Sequence, residues 1–210
     1  MAEKDLSWKF AEEFVVEPEL IASARAHSLE HGVDPVSPGQ GAQLAVLAAA
    51  SNAKSIIEIG TGFGVSGLWM LTGAPAAALT SIDLEVEFQQ SAKRAFADFG
   101  IPANRARLIA GRALEVLPRM NEASYDLVLV DADPGPIIEY VEHALRLVRV
   151  GGTVLVPHAL WRGRVADPAQ RDDTVTDFRT LLKEIAESPA VLSALSLAGD
   201  GLLQLTRVSS

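Results

Sequence analysis

Residues 58–67 read EIGTGFGVSG and follow directly on the apolar pair Ile56 and Ile57. Glycine lets a backbone turn sharply and approach a ligand closely. Gly62, Gly64 and Gly67 spell G-x-G-x-x-G, a pattern used where a strand turns into a helix beneath a nucleotide. Two acids occupy comparable places. Asp83 closes the run Leu79 to Ile82, and Asp131 closes Tyr125 to Val130. A carboxylate ending a buried strand can accept both hydroxyls of a ribose. Each residue also has a plainer reading. The glycines make a tight turn, Asp83 caps a helix from residue 85 onward, and Asp131 and Asp133 cap the next one. Their recurrence at successive strand ends favours one shared ligand.

Glu58 narrows the choice of ligand. It lies inside the strand just before the glycine loop, where a carboxylate opposes a pyrophosphate and suits a cation. S-adenosylmethionine carries adenosine, a sulfonium and an ammonium group but no phosphate, and fits this arrangement better than NAD. A nicotinamide-dependent dehydrogenase is the rival reading that G-x-G-x-x-G allows.

The elements that must hold these residues alternate along the chain. Ile56 to Ile59, Leu79 to Ile82, Arg107 to Ala110, Tyr125 to Val130 and Thr153 to Val156 are short apolar runs of the kind found in buried parallel strands. Helices are expected between them, at 66–71, 86–99, 113–117 and 137–148, the last closed by Gly151-Gly152. This alternation defines a doubly wound α/β sheet, whose ligands sit at the carboxyl ends of the strands. The chain then changes character. A polar loop at 157–173 precedes a helix at 174–187 and a hairpin, 191–197 and 202–208, turned at Gly199-Asp200-Gly201. Before the first strand lies a helical extension of about fifty residues. It contains Trp8, Phe10 and Phe14 at helical spacing, a helix at 17–31, and another begun by Ser37-Pro38.

Composition sets outer bounds. The 210 residues contain no cysteine and carry a formal net charge of −9. There is no disulfide framework and no thiolate metal site. An acidic chain is ill suited to neutralising phosphates, so neither nucleic acid nor an anionic membrane surface is an expected partner. No apolar run approaches the ~20 residues of a membrane span, and the acidic N-terminus is unlike a signal peptide. The expectation is a cytoplasmic protein of one domain, 1–210, with the sheet core at 55–210.

The motifs SPGQG (37–41), EIGTGFGVSGL (58–68), SIDLE (81–85), GRALEVLP (111–118), LVLVDAD (127–133), LRLVRVGG (145–152), LWRGRVADP (160–168) and GDGLLQL (199–205) together carry a resemblance. The chain resembles the S-adenosylmethionine-dependent O-methyltransferases related to catechol and caffeoyl-coenzyme A O-methyltransferases, in particular their bacterial branch. The resemblance implies the class I methyltransferase fold, a Rossmann-like seven-stranded sheet in the order 3-2-1-4-5-7-6. Strand 7 is antiparallel and helices cover both faces. It implies S-adenosylmethionine as cofactor, S-adenosylhomocysteine as product, a small-molecule acceptor and a homodimer. The implied cofactor-binding residues are Ser37, Glu58, Gly60, Thr61, Gly62, Gly64, Ser66, Asp83, Leu84, Ala113 and Asp131. Arg112 stands where the family usually has Asp.

The catalytic half departs from the family. Relatives hold a divalent metal through an Asp ending strand 4 and an Asp-Asn pair after strand 5. Here the first is Asp131 and the pair falls on Pro157 and His158. The usual Lys after Asp-Ala-Asp is Pro134, and a further family Tyr is Ile137. A divalent metal is therefore in doubt, and Asp131 belongs to a metal site only if that site is of another kind. Imidazole exchanges protons near neutral pH, so His158 is the first candidate for the base, with Asp131 and Asp133 next. The plainer reading makes His158 a loop residue bonded to the backbone. Trp161 is expected to wall a flat acceptor, and Arg162 and Arg164 to be solvated or to attract an anionic one. The non-enzymatic alternative is a cofactor-binding homologue that lost turnover with its metal ligands.

Overall fold

The computed structural model describes residues 2–209. Seven strands form one sheet: β1 (Ser55–Ile59), β2 (Ala78–Asp83), β3 (Ala106–Ala110), β4 (Tyr125–Val130), β5 (Val148–Val156), β6 (Val191–Ser196) and β7 (Leu202–Arg207). Their order is β3-β2-β1-β4-β5-β7-β6. Strands β1 to β5 pair in parallel, while β7 runs antiparallel to both β5 and β6. This is the sheet of the class I methyltransferases, as the resemblance implied.

Both faces of the sheet are buried, which is why the central strands are apolar at consecutive positions. Ile56, Leu127, Leu129 and Leu155 point into one core, against α2 (Glu19–Glu30), α3 (Pro38–Ala50), α4 (Val65–Gly73) and α5 (Val86–Asp98). Ile57, Val128, Val154 and Val156 point into the other, against α6 (Ala113–Val116), α7 (Ile137–Leu147) and α8 (Asp173–Glu187). No helix among the described residues is long and apolar enough to cross a membrane.

The strand after α7 differs from expectation. The helix stops at Leu147, and β5 begins at Val148 rather than Thr153. Val148 is fully buried and pairs with Tyr125 across a register shift. Gly151, at φ 77°, lies within the strand and forms part of that irregularity rather than a helix stop. Burial of two β-branched residues, Val148 and Val154, in the same core favours the extended form here.

The N-terminal extension begins with α1 (Ala2–Glu13). Phe10 and Phe14 are 73% and 77% exposed, so they join neither core. Helices α2 and α3 are held by apolar packing through Ile21, Leu44 and Ala48, whereas the residues before them are fastened by polar contacts. Glu12 accepts from the backbone N–H of Gly39 at 3.1 Å and of Gly199 at 2.8 Å. Glu17 pairs with Arg25 at 2.7 Å and accepts from the Trp69 indole at 3.3 Å. At the start of α3, Ser37 and Gln40 make a reciprocal capping box. The buried Gln40 amide also donates to the carbonyl of Gly201, tying α3 to the β6–β7 turn.

Candidate active site

The parallel register brings Ile59 level with Ile82 and Val130, so the residues just beyond β1, β2 and β4 meet at one edge. Gly60 packs directly on that junction. A Cβ there would lie 1.9 Å from the Asp131 carbonyl oxygen, and φ is 95°. Only glycine fits both constraints. Gly64 begins α4 in the left-handed conformation, φ 89°.

A cavity of about 650 Å³ opens at this edge. Gly60, Gly62, Asp83, Leu84, Ala113, Asp131 and Asp133 are among its walls. Asp83 is held by its own backbone surroundings. Its Oδ2 accepts from Gly62 N at 2.8 Å, and its Oδ1 accepts from Glu85 N at 2.9 Å. Each oxygen keeps a lone pair for a further donor. Glu85, not Asp83, is the cap residue of α5. Phe88, Tyr140 and Pro136 add apolar walls, and Arg112 lines the same cavity. Phe88 and Tyr140 were not singled out from the sequence, although each lies one helical turn or less inside its helix and beside a strand end.

Glu58, Thr61, Ser66 and Gly64 lie differently. Glu58 is fully buried beneath the glycine loop and does not reach the large cavity. Its carboxyl accepts from Ser66 Oγ and Ser81 Oγ, each at 2.5 Å. Ser81 in turn bonds Thr61 at 2.7 Å. Burial pushes the Glu58 carboxyl up to about 8, against the two serine bonds that hold it down. The carboxyl therefore holds its proton far more readily than an exposed one. This buried polar network supports the loop from below. Thr61 and Ser66 border only a narrow space of about 60 Å³, together with Gly60, Gly62 and Asp131.

That narrow space leads to a second chamber of about 340 Å³, with which it shares Asp34 and Pro35. The chamber is walled by Trp8, Ser37, Gln40, His158, Arg162, Gly199 and Asp200 as well. Ser37 therefore sits here, with its hydroxyl engaged in capping, and not in the larger cavity. His158 lines the second chamber and faces Asp131, which lines the large cavity and the narrow space. Its Nε2 lies 3.8 Å from Asp131 Oδ1, and its Nδ1 lies 3.8 Å from Asp200 Oδ2. Nε2 is buried without a hydrogen-bond partner, so the ring is not the backbone-bonded loop histidine of the plainer reading. Burial raises the Asp131 carboxyl and Asp34 raises it further, while the His158 ring pulls it back down.

The loop after β5 corrects one expectation. Trp161 does not wall the second chamber; Trp8, from α1, does. Residue 161 has φ 46°, and its ring stacks on Phe178 with centroids 5.8 Å apart. Arg162 pairs with Asp34 at 3.3 Å and Arg164 with Asp172 at 2.6 Å, the first pair largely exposed and the second partly so.

The positions that hold a metal in relatives do not fit one here. Pro157 has no side-chain donor, and His158 offers nitrogen where a hard cation prefers oxygen. Among the described residues, no three His, Asp or Glu side chains converge as an ion's ligands.

A Rossmann-like sheet with this strand order, a glycine loop after β1 and an acid ending β2 is the architecture of the class I methyltransferases. The O-methyltransferase family profile matches residues 11–208, and the chain belongs to that family. A Mycobacterium avium protein provisionally named an O-methyltransferase is 46% identical over 198 residues, covering 94% of this chain and 89% of its own length. A Mycobacterium tuberculosis relative of the same description is 44% identical over 201 residues, covering 95% and 90%. Among solved structures, the Streptomyces achromogenes O-methyltransferase TomG, involved in tomaymycin synthesis and in complex with S-adenosylmethionine, superposes with a TM-score of 0.84. It is 31% identical and covers 96% of this chain and 95% of its own. A Corynebacterium glutamicum protein superposes at 0.89 with 29% identity, covering 100% and 99%.

Proposed function

We propose that the protein transfers a methyl group from S-adenosylmethionine to the oxygen of a small hydroxylated aromatic acceptor, with His158 in place of a metal ion receiving the acceptor's proton. The observation that carries this reading is the position of His158. Its unpartnered Nε2 lies beside Asp131, between a cavity suited to adenosine and a chamber suited to a small ring.

The cofactor supplies an activated methyl group on a sulfonium. The residues supply place and proton. Asp83 is positioned for the ribose hydroxyls, Leu84, Phe88, Ala113 and Tyr140 for the adenine, and Gly60 and Gly62 for close passage of the methionine part. Glu58 and Thr61 act from beneath, by keeping Ser66 and the glycine loop in register. Asp131 borders the large cavity and the narrow space beside it, and offers negative charge to a cationic centre. Trp8 gives the acceptor a flat wall. Confinement of donor and acceptor on either side of a narrow passage supplies orientation, a large part of the barrier for an in-line displacement. His158 Nε2 accepts the hydroxyl proton as the oxygen becomes nucleophilic, and Asp131 stabilises the imidazolium.

The exposed faces of Phe10 and Phe14 support a homodimer built through the N-terminal extension. A second functional reading draws on Pro134 and Pro157. If these losses ended turnover, the protein binds cofactor and transfers nothing.

Calorimetric titration with S-adenosylhomocysteine, in EDTA and again in excess Mg²⁺, tests the cofactor and the metal together. Equal micromolar binding in both is expected. Binding of NAD instead would favour a dehydrogenase. Turnover of catechol with methyl-labelled S-adenosylmethionine in EDTA, abolished in His158→Gln, separates the enzyme from the non-catalytic homologue.

A further inference from the structure

Asp200 sits at the tip of the β6–β7 turn, a place where an acid is ordinarily a solvated turn residue. Here its carboxylate points inward. Both of its oxygens accept from the backbone N–H of Arg162, at 2.7 and 2.5 Å. Its own carbonyl accepts from Leu160 N at 3.1 Å, and the neighbouring Gly201 carbonyl accepts from Ala159 N at 3.1 Å. The turn thus clamps residues 159–162 from one side. The flanking glycines make this approach possible. A Cβ on Gly201 would lie 2.5 Å from the Leu160 side chain and one on Gly199 would lie 2.4 Å from Gln40, with φ of 85° and 54° at the two positions.

The clamp also brings Asp200 Oδ2 to 3.8 Å from His158 Nδ1, while Asp131 Oδ1 stands 3.8 Å from Nε2. The ring lies between two carboxylates, one from each chamber. A neutral imidazole carries one proton, and the nitrogen facing the more committed acceptor holds it. Asp200 is the anchored one of the two, since both of its oxygens accept from Arg162 N and set it against Nδ1. These contacts are longer than hydrogen bonds and are of the kind that shorten when an active site fills.

We propose that Asp200 is the positioning residue of this active site: it holds the proton on His158 Nδ1, leaving Nε2, on the Asp131 side of the ring, with its lone pair unprotonated. The inference rests on the reading of His158 as base. The proton of the acceptor hydroxyl then passes to Nε2, the oxygen's electron pair forms the new bond to carbon, and the sulfur keeps the pair of the bond that breaks. The imidazolium so formed is flanked by Asp200 and Asp131, and it returns its proton to solvent. The relation of Asp200, His158 and acceptor is that of the third member of a catalytic triad to its histidine and nucleophile. It also accounts for a buried, unbonded Nε2, which is otherwise an unexplained loss.

Nitrogen-15 NMR of the full-length protein, labelled at histidine and recorded at alkaline pH, reads the tautomer directly and needs no acceptor. His158 is assigned by comparison with His158→Gln. In the wild type the Nδ1–H form is expected to dominate. In Asp200→Asn, which keeps an oxygen for the Arg162 N–H but loses the charge, a mixture is expected, and in Asp200→Ala the Nε2–H form. A wild-type ring already in the Nε2–H form, or a tautomer ratio unchanged in Asp200→Asn, overturns the proposal. With catechol as acceptor, Asp200→Asn should lose tenfold or more in kcat with KM within twofold and S-adenosylhomocysteine affinity unchanged. Full kcat in Asp200→Asn alongside an inactive His158→Gln overturns the role of Asp200 alone. Full activity in His158→Gln removes the underlying reading as well.

Discussion

The amide of Gly62 donates to Asp83 Oδ2 across twenty-one residues of chain, at 2.8 Å. This one bond joins the glycine loop after β1 to the acid after β2 and orients the carboxylate toward the large cavity. Asp83→Ala is expected to weaken S-adenosylhomocysteine binding at least tenfold, since hydrogen bonds to a charged group contribute about 1.5–3 kcal/mol. Isothermal titration of a folded variant checks this, and unchanged affinity would remove Asp83 from the ribose site.

Gly60 has no room for a side chain. Gly60→Ala forces its methyl against the Asp131 carbonyl in a backbone conformation that L residues rarely adopt. A loss of about 2–4 kcal/mol in urea-unfolding stability is expected, of the size caused by strain at a special backbone position. Wild-type stability would show that the loop can separate from β4.

Glu58 makes stability depend on pH. Its folded-state value, about 8, stands above its ordinary value of 4.5. Between these limits the folded state holds a proton that the unfolded state has released. Stability is then greatest below about 4.5 for this group and declines as pH rises toward 8, by at most ~1.4 kcal/mol per pH unit. Glu58→Gln imitates the neutral carboxyl, with an amide that donates to one serine and accepts from the other. Its melting temperature is expected to vary less between pH 5.5 and 8 than that of the wild type. Parallel curves would mean that Glu58 is ionised in the folded protein.

Residue 158 has φ 57°, a conformation that asparagine tolerates well. The double substitution Pro157→Asp with His158→Asn therefore places oxygen donors opposite Asp131 without new strain at 158. Mg²⁺ or Mn²⁺ affinity, followed by calorimetry, is expected to rise from none detectable to the millimolar range or tighter. No gain would mean that the path of the backbone, and not only its side chains, disfavours an ion.

Phe10 and Phe14 lie on the outside of the N-terminal extension. Replacing both by Ser is expected to convert a dimer to a monomer in light scattering, with little change in unfolding midpoint. A wild-type chain that is already monomeric would end the dimer reading.

Much of the sheet could be read from local pattern. Ile56, Ile57 and Ile59, or Leu127, Val128, Leu129 and Val130, are apolar at both parities because both faces are covered. Gly60 and Asp83 are legible because a turn and a strand end constrain them within a few residues. The second chamber was not legible. Trp8, Asp34, His158 and Asp200 are brought together by a helix cap, a clamped loop and a hairpin tip, and no local pattern links them. Asp200 read as a turn residue since its inward direction depends on Arg162 N, thirty-eight positions away. Trp161 misled for the same reason, because its partner Phe178 belongs to the next helix.

The two chambers draw on different parts of the chain. The larger is built chiefly from the turns that follow β1 to β4, which are short and fixed by sheet register, with Val33, Phe88 and Tyr140 added from outside them. The smaller is built from α1, the segment before α3, the loop after β5 and the hairpin tip. They meet only across the Asp131–His158 contact and one narrow neck. If the larger holds the methyl donor and the smaller the acceptor, as proposed, mutational drift or laboratory redesign can exchange acceptor preference in one half while the other stays as it is. On the proposed reading, a library confined to residues 8 and 162, which line only the smaller of these two, would vary what is methylated without touching the walls of the larger.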